Sequence, residues 1–544
     1  MHDLLLLALG LSVQSPPTAG DSRLDYAVVV HGENRVQSLS EAELRRLLKA
    51  ETQFWPRGGQ VVDLLLPSSG TGAKKFLQQR IYGMTDLQLK RYWLELIYQN
   101  RIVEAPRSVP SSQVAVPMLE RLRGALTVFP ASEVIPPANI KIVALDDKLP
   151  GDRGYPLSAT EALQAEARIP DAGARAGVTE ASAPRARTPV SDAEAPSTPR
   201  TLEEWDGDGW PPLNLRVFAH GEFEWEKETE AGVDTTTNGF SIEVIDLLMT
   251  SALTERMSVL AETTFEAQEQ GGFVLEVERL LLKYRHSDAF SVSAGRFLTG
   301  IGYWNTRYHH GEWLQTSIDR PEVLDFEDDT GLLPTHNVGL SFKGAFCTDA
   351  LLADYTVEVA NGRGPTADNP QVELDANDGK AVNVAIGLEP AFLHGLRLGG
   401  GIYVDEIPEN TDPTIGNVHD SIDEQITNVF CAFNDIRWEM MGEYFWVDQE
   451  EAGVSADSTG WYVQVGRHFG YWTPYVRVDG IDRSDLNTYF DTADDGFTYA
   501  LGVRRDLGKH VALTLQYEHA EFDAPPGDDN SETDTIVLQA SVVF

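Results

Sequence analysis

DTIVLQASVVF, residues 534–544, closes the chain. Ile536, Leu538, Ala540, Val542 and Phe544 share one parity, and Thr535, Val537, Gln539, Ser541 and Val543 the other. Side chains of a β-strand alternate between faces, so this reads as a strand with one apolar face. It stops on an aromatic with no polar tail, in a chain of formal charge -41.

The segments before it repeat the pattern. In HVALTLQYEH (510–519), Val511, Leu513, Leu515 and Tyr517 alternate with Ala512, Thr514, Gln516 and Glu518. In GFTYALGVR (496–504), Phe497, Tyr499, Leu501 and Val503 alternate with Thr498, Ala500, Gly502 and Arg504. In IRWEMMGEYFW (436–446), Ile436, Trp438, Met440, Tyr444 and Trp446 oppose Arg437, Glu439 and Glu443. One face is apolar with aromatics near its ends, as a lipid-facing band requires, and the other is polar, as a watery lumen requires. Sixteen such segments start near residues 213, 237, 257, 272, 289, 337, 351, 379, 393, 421, 436, 459, 471, 496, 510 and 534. Short connections (255–256, 347–350, 434–435, 468–470, 506–509) alternate with long ones (301–336, 363–378, 407–420, 448–458, 480–495, 523–533). A soluble sandwich also alternates, but its strands are shorter and its loops lack this rhythm. The pattern predicts a 16-stranded antiparallel transmembrane β-barrel over 211–544, with both barrel ends on the short-turn rim. No run of 18 apolar residues offers a transmembrane helix.

The rest of the chain is a different material. Residues 1–200 hold 22 acidic and 23 basic residues; residues 201–544 hold 62 and 20. The start, MHDLLLLALGLSVQSPPTAG, reads as a signal peptide over 1–22, although no Lys or Arg precedes its apolar stretch. Residues 23–150 read as a small α/β lobe: strand LDYAVVVHG (24–32), helix AELRRLLKA (42–50) capped by Ser40 with Glu43 three residues on, and strand VVDLLLP (61–67) into a Ser/Gly loop. Helices AKKFLQQRIYG (73–83) and LQLKRYWLELIYQN (87–100) follow, then strands GALTVFP (124–130) and IKIVALD (140–146). Residues 151–210, rich in Ala, Pro, Ser and Thr, read as a disordered linker with a span on the order of 40 Å. Cys347 and Cys431 sit in separate strand-like runs and read as small apolar residues.

Three stretches carry resemblances. The terminal alternation ending in Phe544, with Val542, Ala540 and Leu538, resembles the assembly signal of Gram-negative outer-membrane barrels, which the barrel assembly machinery reads. The sixteen-strand pattern resembles the porin and phosphate-selective porin families, and SAGRFLTGIGYWNTRYHHGEW (293–313) is similar to their turn into a long third loop. That resemblance implies an outer-membrane channel for small solutes or ions, a homotrimer, and a third loop folded inward as a constriction carrying Arg307, Glu312, Asp319, Arg320, Asp325 and Glu327. The strand residues expected in the lumen are Arg437, Glu439, Glu443, Arg477, Arg504 and Glu518, where they could equally form a cross-strand lattice of pairs. The acidic excess departs from the basic lumen of phosphate-selective members and favours cations weakly. Much of it lies in long loops, expected to be a solvated rim where Ca²⁺ or Mg²⁺ bridges to lipopolysaccharide.

Residues 24–149 resemble the middle portion of the phosphate-binding protein of ABC transporters, through AVVVHGEN (27–34), SLSEAELRRLLKA (38–50), LLLPSSGTGAKKFLQQRIYG (64–83) and RGALTVFP (123–130). The resemblance implies a periplasmic lobe binding an anion at Ser68, Ser69, Gly70, Thr71, Gly72 and Lys74, a helix start whose N–H groups favour negative charge. The alternative is a plain capped helix. No catalytic constellation and no nucleic-acid-binding patch is present, and an anchor without conduction is the competing function. His309, His310 and Glu312 lack metal-site spacing and read as solvated loop residues.

Overall fold

The computed structural model describes residues 24–56, 58–159, 211–267, 271–325, 331–367, 375–490, 495–524 and 530–544. The expected signal peptide, most of the expected linker, and Glu327 lie outside the described residues.

The N-terminal region is a mixed sheet with helices. Its strands are β1 (Leu24–His31), β2 (Ser38–Leu39), β3 (Asp63–Pro67), β4 (Arg107–Val109), β5 (Ala125–Pro130), β6 (Ile140–Leu145) and β7 (Ser158–Ala159). They lie in the order β2-β6-β1-β5-β3-β4, with β7 against β1. The helices are α1 (Glu41–Leu48), α2 (Gly72–Leu77), α3 (Asp86–Tyr98) and α4 (Ser112–Leu119). The sequence reading missed β2, β4, β7 and α4, which are too short or too weakly patterned to stand out. The Ser40–Glu43 capping box forms as expected, and Gly83 closes the second helical stretch with φ 63°.

The barrel runs β8 (Leu213–Glu230), β9 (Val233–Ser241), β10 (Val244–Ala252), β11 (Met257–Ala267), β12 (Phe273–Ser287), β13 (Phe290–Leu298), β14 (His336–Cys347), β15 (Leu351–Ala360), β16 (Ala381–Pro390), β17 (Leu396–Ile407), β18 (Ile422–Asn434), β19 (Trp438–Glu451), β20 (Val454–Arg467), β21 (Trp472–Asp482), β22 (Asp495–Asp506), β23 (Val511–Asp523) and β24 (Ser531–Val543). Every neighbouring pair is antiparallel, and β8 pairs with β24 on one side and with β9 and β10 on the other. Because β9 and β10 are successive parts of one stave, the closed barrel has sixteen staves, as the sequence predicts.

Closure explains the terminal sequence. The N–H of Phe544 donates to Val217 O and the N–H of Val217 donates to Phe544 O, so the last residue completes the seam. An edge left open in lipid would leave backbone groups unsatisfied at several kcal/mol each. The two parities separate as expected: Leu515, Leu501 and Leu538 face outward and exposed, whereas Gln516, Ala500 and Gln539 are buried within the barrel. Exposed Phe469, Tyr471, Trp472 and Phe544 gather at the short-turn rim. An apolar outer wall with an aromatic rim is the surface that a bilayer solvates.

Candidate functional site

The described residues of the third long loop, 299–325 and 331–335 (L3), leave β13 and cross the lumen. Its backbone is held by wall side chains on opposite sides. Glu358 on β15 accepts from Gly300 N at 2.8 Å, and Glu443 on β19 accepts from Tyr303 N at 2.5 Å and Trp304 N at 2.8 Å. Farther round, Arg504 on β22 donates to the carbonyls of Trp313 (2.9 Å) and Gln315 (2.6 Å), and Gln516 on β23 accepts from Ile318 N at 3.1 Å. Asp479 on β21 accepts from Glu322 N at 3.3 Å, and Arg477 on the same strand donates to Asp319 O. Polar and charged wall groups thus bind the main chain of a loop, which satisfies peptide groups that would otherwise be buried without partners.

Backbone shape permits the crossing. Gly302 has φ 72°, and a Cβ there would lie 2.7 Å from Glu443 Oε2 and 3.0 Å from the Phe445 ring. Glycine is the residue that takes this conformation and this proximity together.

A second layer closes on L3 from the short-turn rim. Helix α3 is apolar on two sides: Leu89, Trp93 and Leu96 join the core of its own domain, and Leu94, Ile97 and Tyr98 join the cluster inside the barrel. The Tyr98 carbonyl accepts from Arg279 on β12 at 2.6 Å, and its hydroxyl accepts from His310 N of L3 at 2.9 Å. Buried Arg91 lies 3.9 Å from Glu439 on β19 and 3.6 Å from Asp506 on β22, with its guanidinium 5.6 Å from the centre of the Trp313 ring. Glu95 sits 3.5 Å from Arg307 of L3. Burial pushes the Glu95 carboxyl up to about 7, against the pull of Arg307 and Arg91. Around the helix, Thr250 on β10 donates to Val103 O, Gln88 donates to Asp435 O, and Asp288 accepts from the N–H groups of Gln53 and Phe54. The helix and L3 form a stacked plug tied to strands around the wall.

Of the residues expected in the constriction, Arg307 stacks over Tyr303 at 4.3 Å and faces the plug. Asp319 accepts from Gln516 at 2.7 Å, Arg320 donates to His309 O at 3.0 Å, and Glu312 accepts from Gln315. Asp325 follows the 3₁₀ turn Glu322–Leu324. Glu439, Glu443, Arg477 and Arg504 are buried in the lumen, and Glu518 accepts from Arg477 at 2.7 Å. Arg437 is different: it lies exposed in the turn before β19, outside the lumen, because the strand starts one residue after it. The expectation that His309 and His310 are solvated also fails; both are buried, since L3 turns inward.

The 68–72 loop starts a six-residue helix, with Thr71 Oγ1 accepting from Lys74 N at 3.1 Å and donating to Ser68 O at 2.8 Å. Ser68 accepts from Ser108 at 3.0 Å, and Lys509 of the barrel reaches Ser69 at 3.4 Å. Those hydroxyls act as caps and contacts here.

Sequence reasoning missed the seating of α3. The signal was present: a helix apolar on both sides must be buried on both, and LQLKRYWLELIYQN offers one set of apolar residues to its own sheet and a second set to something else.

No family model matches the chain, and no curated protein matches it in sequence. Several solved structures are similar to part of the chain. An anion-selective porin from Comamonas acidovorans is 11% identical, with a TM-score of 0.44 over 62% of this chain and 100% of that one. The outer membrane channel DcaP of Acinetobacter baumannii is 11% identical, with a TM-score of 0.42 over 62% of this chain and 99% of that one. OprB of Pseudomonas putida is 12% identical, with a TM-score of 0.42 over 61% of this chain and 94% of that one. At such identity nothing of what those proteins conduct transfers to this chain.

Proposed function

We propose that the chain is an outer-membrane channel for small hydrophilic solutes or ions that its own N-terminal domain holds shut from the periplasmic side. The observation that carries this reading is α3, seated inside the barrel mouth with Arg91, Glu95 and Tyr98 engaged by wall and loop. Outer-membrane barrels place short turns in the periplasm, and α3 enters from the short-turn rim, where both barrel ends also lie. A polar, charged lumen behind an apolar wall suits a water path. In this reading the opposite, acidic rim faces lipopolysaccharide with Ca²⁺ or Mg²⁺, and the barrel assembles as a trimer. In this reading the 68–72 loop, with Lys74, would meet anions near this mouth; its resemblance to phosphate-binding proteins supports that role, and the contact of Lys509 with Ser69 supports its position.

The test is single-channel recording in planar bilayers. The full chain is expected to conduct rarely and briefly. Ile97→Asp, which puts a charge into the apolar seat of α3, is expected to conduct steadily. Equal, steady currents from both proteins would overturn the shut-plug reading. A second reading, a non-conducting anchor, draws on the attachment of L3 to opposite walls; silence from both proteins would favour it.

A further inference from the structure

Four side chains meet where L3 touches the β12 wall. Glu278 Oε2 lies 2.8 Å from His336 Nε2, 3.3 Å from His310 Nε2 and 4.0 Å from His309 Nε2. His309 Nε2 lies 2.9 Å from His336 Nε2. Each of the four residues is more than nine-tenths buried. They come from β12, two adjacent positions of L3, and the first residue of β14, so only the fold brings them together.

The hydrogen bonds behind them orient the donors. Asn305 Nδ2 donates to the carbonyls of Thr299 (3.0 Å) and Thr335 (3.1 Å), which turns its Oδ1 toward His309 Nδ1 at 3.0 Å. An amide oxygen accepts, so the proton of neutral His309 sits on Nδ1, and the Nε2 lone pair points at the cluster. Thr264 Oγ1 donates to Glu278 Oε1 at 3.0 Å, leaving Oε2 as the oxygen aimed at the histidines. Imidazoles that ligate a metal are oriented in this way, by a partner on the other ring nitrogen.

We propose that Glu278, His309, His310 and His336 bind a divalent transition-metal ion of the zinc class, stapling L3 to the barrel wall. A tetrahedral ion with bonds of about 2.0–2.1 Å needs ligand atoms roughly 3.3–3.4 Å apart. The four contacts above, 2.8, 2.9, 3.3 and 4.0 Å, bracket that value, and the ligand atoms of Glu278, His309 and His310 all lie within 4.8 Å of one another. Three imidazoles and one carboxylate suit Zn²⁺ or Co²⁺ and not Ca²⁺ or Mg²⁺, which take oxygen ligands. Four protein ligands fill a tetrahedron, which is the arrangement of a structural site. The His310 N–H also donates to Tyr98 Oη at 2.9 Å, so the ion would stiffen the same loop on which the helical plug rests.

The experiment uses the full chain in detergent, stripped with a chelator and titrated with Zn²⁺ and Co²⁺. One tight equivalent is expected, with the intense visible absorption of tetrahedral Co²⁺. Glu278→Gln and His309→Gln are expected to weaken the affinity roughly 100-fold or more. A second acidic group, buried His519 with exposed Glu521 and Glu532, lies elsewhere on the barrel and serves as the control. His519→Ala should leave the tight equivalent and its spectrum unchanged. Loss of tight binding in His519→Ala would overturn the proposal, as would an octahedral Co²⁺ spectrum or no uptake by the wild-type chain. Heat-shifted migration on gels confirms that each variant retains its barrel. The wild-type Co²⁺ spectrum decides the matter if a variant fails to fold.

Discussion

Arg91 shows how a single side chain can hold a domain in place. Its guanidinium is buried between Glu439 and Asp506, two carboxylates from different strands. Arg91→Met would leave Glu439 without its cation, whereas Asp506 keeps Arg504 at 3.0 Å; breaking a buried pair from one side costs about 3–5 kcal/mol. Release of the N-terminal domain by limited proteolysis should therefore be much faster in this variant. Glu95 adds a pH dependence. Its value in the seated helix is about 7, above the 4.5 of a free glutamate. A raised value means that the seated form binds the proton more tightly, so its stabilisation is complete below about 4.5 and fades as pH rises through about 7. The full effect is about 3 kcal/mol at most. Open probability should thus rise from pH 5 to pH 8 in the wild type and stay flatter in Glu95→Gln.

Elements matter through the surfaces they present. L3 threads past β19 at Gly302, where a side chain would meet both Glu443 and Phe445. Gly302→Ala combines an unfavourable φ with a close contact. It is expected to lower stability by about 1–3 kcal/mol, read as a fall in the temperature at which L3 becomes cleavable, with the heat-shifted barrel band retained. The histidines of L3 belong to this scale as well, because their burial follows from the path of the loop and not from their spacing.

At the scale of the whole molecule, closure governs everything else. Deleting residues 541–544 removes the pairing of Phe544 with Val217 and the last rungs between β24 and β8. The truncated chain is expected to miss the heat-shifted, detergent-resistant form and to accumulate unassembled, as judged by gel migration of membrane fractions. A normal folded band would show that the seam tolerates a missing end. The domain at the short-turn rim acts at the same scale: its sheet is self-contained, and one helix shares its two apolar faces between that sheet and the lumen.

Much of the barrel was legible because a strand in lipid obeys a two-residue period that local sequence must carry. Strand number, the direction of each face and the capping box of α1 follow from neighbours in the chain. The alternation of turns and loops holds less well: the long connection expected at 448–458 is strand, because β19 and β20 pair as far as Glu451 and Val454 and leave a two-residue turn, Ala452–Gly453, whose positive φ values make a tight hairpin. Arg437 was misplaced by one position at a strand end, where parity has no meaning. What only the tertiary structure decided were the contacts between residues far apart in sequence. These are α3 against the wall, L3 tied across the lumen, and Glu278 beside three histidines. Periodicity reports which way a side chain points, whereas the partner it meets depends on how distant segments are brought together.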